Sequence, residues 1–178
     1  MRPVAAILLL LLTASVARAE APSATANAAF LAANAKKPGV EVLPSGLQYR
    51  VLHSGVGQRP APGDVARIAY TAHLIDGTLV DGTAAGLPAT VSVSGVIQGL
   101  SEALKLMHQG DRWQLAVPAA LAFGSKAKGA VPANQTLLFD LTLVAVIPAS
   151  SAPAPDAGNP FSIQAYGREQ GAAFTFHP

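Results

Sequence analysis

His53, His73, His108 and His177 are the side chains best suited to metal or proton chemistry, and their spacing supports neither. No pair stands at a metal-ligand interval, and the chain contains no cysteine, so the sequence offers no zinc pattern for hydrolysis or structure. Serine, histidine and aspartate are all present, which leaves an acyl-transfer triad open. No Gly-x-Ser-x-Gly elbow presents a serine, however. Gly55-Val56-Gly57 is not followed by the helix that a dinucleotide loop needs for redox work. Asn134-Gln135-Thr136 fits a glycosylation sequon by pattern alone. The most informative run is apolar: Val96-Ile97-Gln98-Gly99-Leu100-Ser101-Glu102-Ala103-Leu104 reads as the end of a strand segment, a glycine and a short amphipathic helix.

The elements around that run have a period of two. Leu47, Tyr49 and Val51 alternate with Gln48 and Arg50, and Trp113, Leu115 and Val117 with Arg112 and Gln114. Val91 and Val93 alternate with Thr90, Ser92 and Ser94. Val65, Ile68, Tyr70, Ala72 and Leu74 keep one face apolar, with a register break expected near Arg67. Leu137 to Ile147 is apolar on both faces except at Asp140 and Thr142, which predicts a central strand covered on both sides. Asp76-Gly77 is a hairpin turn, and Gly110-Asp111 ends the helix before the next strand. Leu100, Ala103, Leu104 and Met107 form one helical stripe, with Ser101, Glu102, Lys105 and His108 turned outward. One short helix with one apolar stripe must pack on the sheet. The fold class is therefore α+β, a curved antiparallel half-barrel wrapped around one helix.

The ends read differently. Arg2, the apolar stretch Val4 to Leu12 and Ala17-Arg18-Ala19 form a signal peptide, with cleavage expected after Ala19. That stretch is well short of the ~20 residues that span a bilayer. The full chain has 12 Lys+Arg against 10 Asp+Glu; without Arg2 and Arg18 the count is 10 against 10. A neutral mature chain with scattered basic residues gives no nucleic-acid footprint. With no disulfides available, an apolar core must carry stability. Residues 20–44 form an Ala-rich lead with a short helix expected over Asn27 to Lys37, stopped by Pro38-Gly39. Residues 45–148 form the folded domain, and 149–178 a Pro/Ala/Ser linker and a mostly disordered tail.

The opening run resembles the pocket-floor segment of FKBP-type peptidyl-prolyl cis-trans isomerases. The resemblance extends over about residues 45 to 147. Its markers are Leu43-Pro44-Ser45-Gly46-Leu47-Gln48-Tyr49, Ala69-Tyr70-Thr71 and Asp76-Gly77-Thr78-Leu79-Val80-Asp81. They continue through Trp113-Gln114-Leu115, Leu121-Ala122-Phe123-Gly124 and Pro132-Ala133-Asn134-Gln135-Thr136-Leu137-Leu138-Phe139. Each piece is unspecific, and their joint order is specific. The resemblance implies an exported isomerase that accelerates X-Pro rotation and assists folding; the alternative is an FKBP-like binding or chaperone module with weak or no turnover. It implies no cofactor and no metal. Expected partners are proline-containing unfolded exported proteins and macrolide ligands of this class, with no nucleic acid, no membrane after signal cleavage, and a monomeric state. The expected location is periplasmic or secreted.

By the same resemblance, Tyr70, Asp81, Ile97, Phe123 and Phe139 are the catalytic set, and Val80, Val91, Val96, Leu100 and Val131 bind substrate. Asp81 is the carboxylate at the pocket edge, near Tyr70, and the Ile97 N–H binds a substrate carbonyl. Read alone, Tyr70, Val96 and Phe139 are ordinary core residues and Asp81 a turn residue. Several positions depart from the family. Leu100 stands for the usual tryptophan, Phe123 for the usual tyrosine, and Val80 and Val91 where phenylalanine is common. The expectation is a wider, less aromatic and weaker pocket.

Overall fold

Ala66, Ile68, Tyr70 and Ala72 occupy one face of strand β3 (Val65–His73) and all are buried, which makes β3 the spine of the sheet. The computed structural model describes residues 21–151 and residue 161. Helix α1 (Ala24–Asn34) and strands β1 (Glu41–Val42) and β2 (Gln48–His53) precede β3. After it come β4 (Leu79–Gly82), β5 (Ala89–Ser92), α2 (Gln98–Leu106), β6 (Arg112–Val117) and β7 (Leu137–Ile147). The sheet is open, antiparallel, and ordered β1-β2-β6-β7-β3-β4, with β5 also paired to β3. One edge of β3 is shared, β5 taking Val65–Ile68 and β4 taking Thr71–His73. Helix α2 lies on the inner face, where Leu100, Ala103, Leu104 and Met107 are buried among Leu47, Ile68, Leu115 and Leu141. This is the half-barrel around one short helix that the alternation predicts.

Four details refine the sequence reading. The register break expected near Arg67 is there, between Arg67 and Ile68 in the pairing with β7, but β3 itself stays regular, with Ala66 continuing the inward face. The irregularity lies across from it: Arg67 pairs with Ala145 and Ile68 with Leu143, so Val144 of β7 is the extra residue of a bulge. Strand β7 is central, but only Leu137, Phe139, Leu141 and Leu143 are buried; the other face is half-buried at Leu138, Asp140 and Thr142 and exposed at Val144. Ser101 is buried rather than outward, since the helix sits deeper in the sheet than one stripe requires.

The fourth detail concerns the lead. Its helix lies at Ala24–Asn34, three residues earlier than expected, because Ser23 caps it by accepting from the Ala26 N–H at 3.1 Å. Pro38 disfavours helical geometry at Lys37 and closes the segment. Amide side chains fix α1 to the outer face. Buried Asn27 accepts from the Thr136 N–H at 2.7 Å and donates to Gln135 at 3.2 Å, and Gln48 donates to the Leu31 carbonyl at 3.0 Å. Residues 1–20, with the expected signal peptide, and most of the tail lie outside the described residues.

Candidate active site

The pocket floor is the entry to α2. Ile97 is the residue at the helix N-cap, so its carbonyl accepts from the Ser101 N–H at 3.0 Å while its own N–H stays outside the helical ladder. That N–H donates instead to the carbonyl of Phe161, at 2.8 Å. Gly99 lets the first turn sit this close to the sheet, since a Cβ there would lie 2.5 Å from Val117 Cγ1.

The wall is built from β3 and β4. Thr83 holds the Tyr70 backbone from both sides, accepting from its N–H at 3.0 Å and donating to its carbonyl at 2.9 Å. The Tyr70 hydroxyl donates to Asp81 Oδ2. Asp81 reaches it because of a second bulge: His73 pairs with Leu79 and Ala72 with Asp81, leaving Val80 as the extra residue. A residue opposite Ala72 shares its face, and Tyr70 is two positions along that face. Asp81 is therefore a strand residue. The hairpin turn is Asp76-Gly77, where Gly77 has φ +88° and the Asp76 carboxylate accepts from the Thr78 N–H at 2.9 Å. Hydrogen bonds from Thr78 hold the Asp76 carboxyl below its ordinary range.

Two more aromatic rings close the space. Phe139 faces inward from β7, its centroid 6.1 Å from that of Tyr70. Phe123 follows the short 3-10 turn Ala119–Leu121, where Gly124, at φ +60°, returns its N–H to the Ala119 carbonyl at 2.8 Å. Val91, Val96, Leu100 and Val131 are buried in the same apolar cluster, and Val80 packs against it half-buried. Val131 is turned inward by paired backbone hydrogen bonds with Lys128.

Phe161 occupies the centre of this arrangement. Its ring is 1% exposed, 5.0 Å from Phe139 edge-on, 5.7 Å from Tyr70 edge-on and 5.7 Å from Phe123 stacked. Tyr70, Ile97, Phe123 and Phe139 thus all meet one residue, and Asp81 joins them through Tyr70. Sequence reading missed Phe161 and Thr83. Phe161 had one signal, since three of the six phenylalanines follow residue 160 in a linker-like tail. Thr83 had none, as its role depends on a loop-to-strand contact. Chemically, the space can hold an apolar ring beside a carbonyl, with one backbone donor and one hydroxyl–carboxylate pair at hand. Among the described residues no group of His, Asp and Glu is arranged to hold a metal ion.

Comparison with known proteins bears on the fold and the family. Residues 57–144 match the family model of the FKBP-type peptidyl-prolyl cis-trans isomerase, and residues 11–51 match that of the domain amino terminal to it. The chain is 49% identical over 120 residues to the outer membrane protein MIP of Legionella longbeachae, covering 66% of this chain and 52% of that one. It is 46% identical over 120 residues to the FKBP-type 22 kDa peptidyl-prolyl cis-trans isomerase of Escherichia coli, covering 66% and 58%. The chain spans about half the length of these curated relatives. Among solved structures, the peptidyl-prolyl cis-trans isomerase of Pseudomonas syringae superposes with a TM-score of 0.66 at 30% identity, over 72% of this chain and 98% of that one. FkpA of Escherichia coli superposes with a TM-score of 0.67 at 35% identity, over 71% and 62%. With fold and sequence in agreement, the chain belongs to the FKBP-type peptidyl-prolyl cis-trans isomerase family.

Proposed function

We propose that this chain is a peptidyl-prolyl cis-trans isomerase that accelerates X-Pro rotation in exported, incompletely folded proteins. One observation carries the reading: the Ile97 N–H holds a backbone carbonyl at 2.8 Å while the same residue's ring lies among Tyr70, Phe123 and Phe139. A proline residue presents the same pair of groups, a compact apolar ring and an adjacent carbonyl.

The reaction crosses a barrier of about 20 kcal/mol by rotation alone, so no nucleophile, metal or cofactor is required. Planarity of the amide is reinforced by water that solvates its separated charges. An apolar pocket removes that water and lowers the cost of the twisted state. In this reading Ile97 fixes the carbonyl, Tyr70, Phe123 and Phe139 enclose the ring, and Asp81 orients the Tyr70 hydroxyl. Val80, Val91, Val96, Leu100 and Val131 exclude water. The N-terminal stretch acts as a signal peptide cleaved after Ala19, and the mature chain works as a monomer in the periplasm or outside the cell. No helix among the described residues is long and apolar enough to cross a membrane. Macrolides of the class that FKBP domains bind would compete for the same site.

A protease-coupled assay with a series of Xaa-Pro peptides tests this. Turnover well above the uncatalysed rate is expected. A second reading, a binding or chaperone module, draws support from the filled pocket and from Leu100 and Phe123 in place of tryptophan and tyrosine. Background turnover together with tight binding of an unfolded protein would replace the first reading by the second.

A further inference from the structure

We propose that Phe161 is an occupant of the pocket rather than part of its wall, so that the C-terminal tail competes in cis with substrate. This rests on the isomerase reading of the site. A wall residue leaves the site's hydrogen-bond donor free for substrate. Phe161 places its backbone carbonyl on the Ile97 N–H, at 2.8 Å, which is the donor a substrate carbonyl needs. Its ring is 1% exposed and touches the rings of Tyr70, Phe123 and Phe139, which would otherwise face a proline. Two ligands cannot share one donor and one cavity. Residue 160, immediately before it, is a proline, so the tail carries an Asn-Pro-Phe segment of the kind such a pocket reads.

Reach and concentration support competition. Residues 152–160 join Ser151 to Phe161, and a chain of that length spans up to about 30 Å. A short tether of this kind gives an effective concentration on the order of millimolar. Enzyme KM values commonly lie between about 1 μM and 1 mM, so a weak tethered ligand competes with a peptide substrate over that range. If the tail fills the site about 80–90% of the time, apparent substrate affinity falls about five- to tenfold.

The test compares the full chain with its Phe161→Ala variant. The variant should show KM lower by about five- to tenfold with kcat little changed. By NMR, the Ile97 amide should exchange with solvent faster in the variant. In the unaltered chain, saturation with a proline peptide such as succinyl-Ala-Leu-Pro-Phe-anilide should abolish nuclear Overhauser contacts between Phe161 and Phe139. Equal or lower kcat/KM in the variant would overturn the proposal, and so would peptide binding that leaves those contacts in place. If neither form turns over, the isomerase reading fails, and exchange at Ile97 still decides whether Phe161 holds that donor.

Discussion

Breaking the Tyr70–Asp81 contact tests how the pocket wall is held. The Tyr70 ring is buried and its hydroxyl donates to Asp81 Oδ2, while Asp81 itself is half-buried. A hydrogen bond to a charged group contributes about 1.5–3 kcal/mol, and partial exposure argues for the lower end. Tyr70→Phe and Asp81→Ala should therefore each cost about 1–2 kcal/mol in urea denaturation. Because both remove the same bond, the double variant should cost little more than either, giving a coupling energy of about 1–1.5 kcal/mol. For a chain of this size 1.5 kcal/mol corresponds to about 3–6 °C in Tm. In the proposed mechanism the same bond fixes the ring against which substrate turns, so Asp81→Ala should lower kcat/KM about tenfold, equivalent to about 1.4 kcal/mol in the barrier. The assay is protease-coupled peptide isomerisation on protein shown to be folded. Single-variant costs that add within about 0.3 kcal/mol would refute the shared bond. Unchanged kcat/KM with a large loss of Tm would leave Asp81 a structural residue only.

Other perturbations report on neighbouring contacts. The Tyr49 hydroxyl donates to Glu41 Oε2 at 2.6 Å, and that bond, with burial and the Glu41 charge, pushes its pKa up to about 12 from 10.0. A raised folded-state pKa means stability present below pH 10 and lost as pH climbs toward 12. Tm of the unaltered chain should therefore fall more steeply over that range than Tm of Tyr49→Phe; parallel curves would contradict the bond. Gly99→Ala would set a Cβ 2.5 Å from Val117 Cγ1 and should destabilise by about 1–3 kcal/mol, with recovery when Val117→Ala is added. Failure of that recovery would mean that the close approach is not what constrains position 99. Phe123→Tyr adds a hydroxyl that contributes about 0.5–1.5 kcal/mol, so kcat/KM should rise about twofold to twelvefold in a Phe161→Ala background. No gain there would show that position 123 does not face the substrate carbonyl.

Much of this geometry was legible in the chain, and the parts that were not share physical causes. Strands with strict alternation, such as Trp113-Leu115-Val117, and the helix stripe Leu100-Ala103-Leu104-Met107 announce one buried face, so the half-barrel follows from periodicity. Ala66 is too small to mark a face, so the chain shows the break near Arg67 without showing that β7 carries the extra residue. Val144 and Val80 are bulge residues, set by the partner strand rather than by local composition. The bulge at Val80 brings Asp81 opposite Ala72 and so to Tyr70. Phe161 lies beyond a linker, and a single inserted aromatic has no period to detect.

The replacements at Val80, Val91, Leu100 and Phe123 and the presence of Phe161 belong to one account. Aliphatic residues at three positions that are commonly aromatic leave room, and an empty apolar pocket stays wetted at a cost. Filling it with a phenylalanine side chain contributes about 1.5–3 kcal/mol through area removed from water. Holding Phe161 itself costs about 1–2 kcal/mol of backbone entropy, which leaves a contact on the order of 1 kcal/mol. The balance leaves a contact strong enough to form and weak enough to yield. The sign of its effects then separates the two roles open to Phe161. A wall residue, when truncated, lowers stability and activity together, because substrate and fold lose the same surface. A competing occupant lowers stability and raises kcat/KM, because the fold loses a ligand that substrate must otherwise displace. Opposite signs in Tm and kcat/KM for Phe161→Ala, together with faster exchange at the Ile97 amide, are therefore the outcome that the competing role requires.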